Sequence, residues 1–317
     1  MNERRTIMKY IDLHCDTMTE LALRPERGTL LSNNCEIDIS KLKKGGCFIQ
    51  DFAIWYDQGG GENPWDYYQK ILATYKKEIA ANDCMMPILS AEDIDACEKA
   101  GKIGSFLSIE GGDVIQGSVE KLKAAYEDGV RLITLTWNYA NELAYPNGTE
   151  GEDKGITPVG WEIVNAMNDM GVVVDTSHLN DIGTYELLKK AKKAPLASHS
   201  CARSLKAHKR NLTDELIRLF GERGGLIGLN FSNHFLGDTE ISRVEDMVRH
   251  AKYIRDLGGE DVLAVGTDFD GIQPTLEIED ASEMGKLADG LSKGGFTDDQ
   301  IEKMFYRNAM RYLKETL

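Results

Sequence analysis

The amino-acid sequence predicts a single α/β domain closed into an eight-stranded (β/α)8 barrel of the TIM type, and three observations predict it. Eight short β-branched or apolar runs recur along 317 residues. Stretches of helical periodicity lie between most of them, the alternation expected of βα units on a parallel sheet. No Ser/Gly/Pro-rich linker, low-complexity tract or internal repeat divides the chain, so residues 1–317 read as one domain.

In chain order the runs are YIDLH (10–14), CFIQDFAIW (47–55), IGSFLSIE (103–110), VRLITLTW (130–137), VVVDTSH (172–178), PLASHS (195–200), LIGLNFS (226–232) and VLAVGTD (262–268). Helices are predicted over 65–82, 118–128, 159–170, 180–193, 213–223 and 244–257, with two more at 281–292 and 298–316. SAEDIDACEKA (90–100) fills the long second connection with an extra helix, opened by Ser90 as N-cap. The irregular segments 22–34, 56–64 and 140–155 each follow a strand or its first turn, where a barrel keeps its working loops.

Composition narrows the function classes. A 42% hydrophobic and 28% charged chain lies in the ordinary globular range, so a sizeable core is expected. A net charge of −15 without a basic patch argues against nucleic-acid partners. Six cysteines without a C-x-x-C pair or regular spacing read as small core residues in a reducing compartment. The start MNERRTIMKY lacks a signal peptide's apolar region, no stretch approaches the ~18 apolar residues of a membrane span, and the end carries no lipid-anchor signal. A cytoplasmic protein with no membrane attachment is the expectation. The GGGENP loop lacks the spacing and the G-K-[ST] of a phosphate-binding motif, so no nucleotide is implied.

Strands of a barrel are expected to be apolar along most of their length, yet five of the eight end in groups that titrate or bind metals. His14 and Asp16 close the first, Glu110 the third, His178 the fifth, His199 the sixth and Asp268 the eighth. All C-terminal strand ends face one rim, so residues this far apart in sequence converge there. In His14-x-Asp16 the i, i+2 relation of a strand would aim both side chains at one ion. Imidazoles with carboxylates suit zinc, and the lack of clustered thiols argues against an iron–sulfur or four-cysteine site. Each residue also has a plainer meaning: a hydrogen-bonded histidine, Asp16 as N-cap of TMTELAL, Asp12 as a structural carboxylate, Glu110 as the residue before a Gly111-Gly112 turn. Their joint placement favours a metal, because buried carboxylates and imidazoles without partners are costly.

The strings IDLHCDT (11–17), LSIEGGD (107–113), VDTSHLND (174–181), ASHSCAR (197–203), HKRNLTDE (208–215) and VGTDFDG (265–271) resemble, in order, the motifs of the membrane dipeptidase (renal dipeptidase) family, a branch of the metal-dependent amidohydrolase barrels. The resemblance implies a zinc dipeptidase with two Zn2+ per chain. One ion would lie on His14 and Asp16, the other on His178 and His199, with Glu110 bridging them. It implies that Arg210 binds the substrate's free carboxylate, that Asp268 contacts the bridging water, and that homodimers form. Three departures stand out, the first being that the expected lack of secretion and lipid-anchor signals keeps those properties from carrying over. Trp137 and Asn138 occupy the region where some members carry a substrate-holding histidine, which makes Asn138 or Asn141 the candidate for a hydrogen bond to the peptide. Phe235 stands where a tyrosine hydroxyl is expected.

The expected chemistry is attack on the dipeptide amide by a water activated between two ions, with Asp268 as general base and Asp270 its local rival. Asp270-Gly271 reads as a turn, which favours Asp268. Arg210 alone would read as a surface cation beside Lys209. His208, His234 and His250 are assigned no ligand role, His234 being the one placed to line the pocket and His250 falling inside a helix. Barrel and metal set do not decide substrate, so an N-acyl-amino-acid deacylase, a lactonase and a non-catalytic binding protein are the competing readings.

Overall fold

In the computed structural model, which describes residues 8–148, 151, 153–273 and 275–317, each apolar run supplies one barrel strand. These are β1 (Tyr10–Asp12), β2 (Cys47–Trp55), β3 (Ile103–Glu110), β4 (Val130–Thr134), β5 (Val173–Asp175), β6 (Leu196–Ser200), β7 (Leu226–Leu229) and β8 (Leu263–Val265). Neighbours in sequence pair in parallel around the ring, and Asp12 against Val265 closes β1 on β8. Seven register pairs, Ile49 with Gly104 through Trp55 with Glu110, join the two longest strands and bring Trp55 level with Glu110 at the rim. The family of helices expected between strands is present around the outside, and the fold is a single (β/α)8 barrel.

Five strands end earlier than their sequence runs, and one device explains three of them. Asp12 Oδ1 accepts from the N–H of His14, Asp175 Oδ1 from that of Ser177 and Asn230 Oδ1 from that of Ser232, at 3.4, 2.9 and 2.6 Å. An Asx turn of this kind takes the backbone hydrogen bond away from the ladder and lets the chain turn into the mouth of the barrel. His178 and Asp268 then sit at φ 71° and 62°, left-handed values that β geometry does not allow. His14 and Asp16 therefore do not share a strand face. They meet because the chain has already turned towards the helix Thr17–Leu23.

Other elements differ in detail. A helix at Ile39–Gly45 is present within a stretch with no expected helix, capped by Asp38 on the N–H of Lys41 and by left-handed Gly46. A short strand, Met85–Pro87, pairs with Ile103–Ser105, the start of β3 that β4 leaves uncovered. The last helix is interrupted by a π segment at Lys303–Arg307. Ser90 does cap Ala91–Ala100, accepting from the N–H of Asp93. Residues 149, 150 and 152 of the expected 140–155 loop lie outside the described residues.

The barrel interior changes character along its axis. Strand starts contribute Phe48, Leu132, Val173, Leu196 and Leu226 to an apolar cluster completed by Ala309, Tyr312 and Leu313 of the C-terminal helix. Nearer the rim the buried residues turn polar: Gln50, Asp51, Ser108, Thr134, Asp175, Ser198 and Thr267. Buried polar side chains need partners. Asp12 accepts from Gln50 Nε2 and Thr267 Oγ1, and Asp175 from Thr134 Oγ1 and Ser198 Oγ. Asp12 is thus a cross-strand tie. No helix of the described residues is long and apolar enough to cross a membrane, and five of the six free cysteines are buried.

Candidate active site

At the mouth of the barrel His14, Asp16, Glu110, His178, His199 and Asp268 come together; Asp16, Glu110, His178 and Asp268 line a pocket of about 400 Å³, with His14 and His199 buried behind them. His178 Nε2 lies 2.8 Å from Glu110 Oε1, and His199 Nε2 lies 3.5 Å from the same oxygen. His14 Nε2 faces the other oxygen, Oε2, at 3.5 Å, with Asp16 Oδ2 also at 3.5 Å and Asp268 Oδ1 at 3.9 Å. Three overlapping triads result, His14–Asp16–Glu110, Glu110–His178–His199 and His14–His199–Asp268, each with donor atoms within 4.8 Å of one another. Glu110 belongs to the first two, one oxygen towards each.

The imidazoles are aimed by their other nitrogens. Ser198 Oγ donates to Asp175 Oδ2 at 2.7 Å, which leaves it to accept from His199 Nδ1–H at 2.8 Å. Asn138 Oδ1, an acceptor, lies 3.0 Å from His178 Nδ1 and so places the proton there. In both rings Nε2 is left as a lone pair directed at Glu110. This is the arrangement that fixes tautomer and orientation in a metal-binding histidine. Asn138, expected to meet the peptide, stands at the pocket wall with its carbonyl oxygen committed to His178. Asn141 is spent inside its loop, donating to Leu135 O and Asp113 and accepting from Leu143 and Ala144 N–H.

Electrostatics separate the groups. Burial and the charge of Arg210 push His178 down to about 4, and burial with the charges of His14 and Arg210 holds His199 well below the usual imidazole value. Burial opposes a charge on His14 as well, but Glu110 and Asp16 outweigh it and hold His14 well above. Burial likewise opposes a charge on Glu110, and His14 and His178 overcome it, leaving Glu110 ionised. Burial lifts Asp16 to about 7, and burial with the charge of Glu110 lifts Asp268 to about 6 against His14, Asn230 and Arg210.

Both ring nitrogens of His14, His199 Nε2 and Asp16 Oδ1 are buried without a hydrogen-bond partner among the described residues. Each such atom costs about 1–3 kcal/mol. Four in one cluster fit a bound cation, and the donor set of three imidazoles with carboxylates suits a divalent one.

Asp268 is held at its strained backbone by Asn230, which donates to Oδ2 at 2.8 Å. Its rival Asp270 is occupied, accepting from Thr17 Oγ1 at 2.5 Å and from the N–H of Glu36 at 2.8 Å. Gly271 closes the turn where no side chain fits: a Cβ there would sit 2.1 Å from Asp16 Oδ2 and 2.6 Å from Asp268 Oδ1.

Across the pocket Arg210 is 8% exposed, with its guanidinium 5.4 Å from the ring of Phe235. Among the described residues it has no ion pair, and Nε has no hydrogen bond. Phe235 thus packs against the guanidinium. Arg203, a residue sequence analysis did not single out, staples the loop: Nε donates to Asn211 O at 2.7 Å and Nη2 to Lys209 O at 2.8 Å, the carbonyls on either side of Arg210. The same guanidinium grips Asp181 in a two-pronged pair at 2.5 and 2.7 Å, and Asp181 opens the helix that follows His178. Of the remaining histidines, His234 lines the pocket. His208 Nδ1 accepts from the N–H of Arg210. His250 is buried in packing, accepting from the N–H of Ala202 and donating to Leu236 O.

The family model for membrane dipeptidase (peptidase family M19) matches residues 2–317. An uncharacterised protein in the pqqA 5′ region of Klebsiella pneumoniae is 32% identical over 266 residues, 80% of this chain and 97% of that protein. A metallo peptidase from Rhodobacter sphaeroides, solved with a phosphinate mimic of the dipeptide L-Ala-D-Ala, superposes with a TM-score of 0.89 at 22% identity, covering 98% of this chain and 100% of that one. The probable dipeptidase PvdM from Pseudomonas aeruginosa gives 0.85 at 18% identity, covering 98% and 96%. Both structures show the same fold. The family match along the whole chain makes this protein a member of the membrane dipeptidase family, peptidase family M19, and with that a metallohydrolase of the dipeptidase type.

Proposed function

We propose that this enzyme uses two zinc ions to hydrolyse the single amide of free dipeptides. The observation that carries the reading is one pocket holding both the Glu110-centred donor cluster and the buried, unpaired Arg210. His14, Asp16 and Glu110 would hold one ion, and Glu110, His178 and His199 the other. Ions so placed lower the pKa of a water towards ~7 and polarise a carbonyl oxygen.

The chain's own residues do the rest. Arg210 presents a planar fork to the α-carboxylate, and because it lines the same pocket as Glu110 a carboxylate held there would set the span to the scissile bond and so favour dipeptides. Asp268 takes the proton of the attacking water and passes it to the leaving amine, its carboxylate held in place by Asn230 Nδ2. Asn138, its oxygen given to His178, would meet the peptide through Nδ2. The dipeptide mimic bound by the Rhodobacter sphaeroides enzyme supports extending the substrates to those with a C-terminal D-residue. Six free thiols support a cytoplasmic setting.

The test is metal analysis of the purified protein joined to a panel of L,L and L,D dipeptides, tripeptides, N-acetyl amino acids and lactones. Two zinc ions per chain and cleavage confined to dipeptides are expected. Preferred turnover of N-acetyl amino acids or lactones would replace this reading with another amidohydrolase activity, and tight dipeptide binding without turnover would leave a binding protein.

A further inference from the structure

Resting on the dipeptidase reading above, we infer that Trp55 and Trp137 form a subsite for the N-terminal side chain, and that the enzyme prefers dipeptides whose first residue is aromatic or large and apolar. Trp55 ends β2 level with Glu110, and Trp137 follows β4, on the far side of β3. Their indoles meet edge to face at 5.0 Å, and the ring of Trp137 lies 6.2 Å from that of His178. Both line the pocket. Trp55 Nε1 is buried without a hydrogen-bond partner among the described residues, so this wall offers one free donor beside its apolar ring faces.

Direction follows from the ring of strands. Arg210 and Phe235 come from the loops after β6 and β7, and in a ring of eight the strand opposite β6 is β2. A dipeptide with its carboxylate on Arg210 and its amide at Glu110 therefore extends its first residue towards β2–β4. The neighbouring wall towards β1 is already filled with polar pairs. Glu20 is bridged to Arg24 and Arg27, each at 2.5 Å, and both oxygens of Asp270 are engaged by Thr17 and Glu36. Of the other apolar residues lining the pocket, Phe235 lies on the Arg210 side and Ile272 follows β8, which leaves Trp55 and Trp137 as the apolar wall on the β2–β4 side. Stacked or edge-to-face aromatic contact adds to what the buried area of a large side chain contributes, so a discrimination of about tenfold is expected.

The experiment measures kcat/KM for X-Gly dipeptides with X as Ala, Leu, Glu, Lys, Phe and Trp, in the zinc-loaded wild type and in Trp55→Leu, Trp137→Ala and Trp137→Phe. The quantity read is the Phe-Gly to Ala-Gly ratio within each protein, from which any general loss of activity cancels. A wild-type ratio of about 10 or more, falling towards 1 in Trp55→Leu and Trp137→Ala and partly restored in Trp137→Phe, is expected. A flat wild-type series, a ratio untouched by both substitutions, or a preference that instead tracks the second residue in Ala-X dipeptides overturns the subsite while leaving the dipeptidase reading intact. Failure to cleave any dipeptide removes both.

Discussion

The two sides of the pocket are built by different means. On one side the donor cluster stands at strand ends, where parallel hydrogen-bond ladders and Asx turns fix the backbone, and Ser198 and Asn138 then aim two of the rings. On the other, Arg210 rides on a loop between Ser200 and the helix Asp214–Arg223. Its place comes from side chains gripping main-chain carbonyls: Arg203 on Lys209 and Asn211, and Asn211 Nδ2 on Lys206 and Phe235. A barrel gives ligands on its strand ends their position as a by-product of folding, whereas a loop-borne clamp has to be tied down separately. Damage to the first side is expected to appear in metal content, and damage to the second in KM.

The largest effect tests whether the cluster is one unit. Glu110→Gln is expected to empty both ion positions and lower kcat/KM at least about 10³-fold, the loss of several kcal/mol of transition-state stabilisation. Metal analysis beside initial rates checks it, and a variant retaining both ions would show that the carboxylate is not shared. Next comes the clamp. Arg210→Lys keeps a charge but loses the fork, and breaking a buried charge pair costs about 2–5 kcal/mol. KM for dipeptides is expected to rise about 30-fold or more with metal content unchanged, and an unaltered KM would remove Arg210 from the site.

The same contrast decided what the sequence made legible. β2 and β3 are visible to the residue because Cys47–Trp55 and Ile103–Glu110 are long runs buried along nearly their whole length. The ends of β1, β5 and β7 were overrun because an Asx turn at Asp12, Asp175 or Asn230 continues the apolar pattern while leaving the ladder. Titratable residues closing apolar runs were enough to bring His14, Glu110, His178, His199 and Asp268 together on paper. Arg203 carried no such signal: its importance exists only once Asp181, 22 residues away, is known to face it. Asn138 did carry one. A metal-type histidine needs a partner for its second nitrogen, and an amide at the end of the adjoining strand was the obvious supplier for His178. The polar upper barrel was also visible, in the Gln50-Asp51 pair within an otherwise apolar run.

Arg203→Ala sharpens the comparison on the clamp side. Hydrogen bonds from a charged group are worth about 1.5–3 kcal/mol, and if part of that reaches Arg210, KM is expected to rise about 10-fold with kcat and metal content nearly unchanged. Asp181→Asn is expected to reproduce the split more weakly, and equal falls in kcat would mean general loosening. On the cluster side Asn138→Ala frees the ring of His178, and loss of such an orienting partner typically weakens metal affinity about 10-fold or more. Competition with a chelator reads it directly, and an unchanged affinity would return Asn138 to a purely substrate-facing role.

The smallest effect lies in proton bookkeeping. Glu110 and Asp16 hold His14 well above the ordinary imidazole value, so the ring carries a proton at neutral pH when no cation is present, whereas His178 and His199 are already neutral. A ligating imidazole must be neutral. Asp16, lifted to about 7, is partly protonated at neutral pH as well, so binding at the His14 side is expected to release at least one proton more than binding at the His178–His199 side. The sign follows: apparent affinity at the His14 position rises with pH until the raised value of that ring is passed, and is level beyond it. Calorimetric zinc titrations in two buffers of different ionisation heat, repeated across pH, measure the release. Equal release from the two positions would mean that the unequal protonation of the three rings does not survive in solution, and that the cluster is more symmetric than its hydrogen bonds make it.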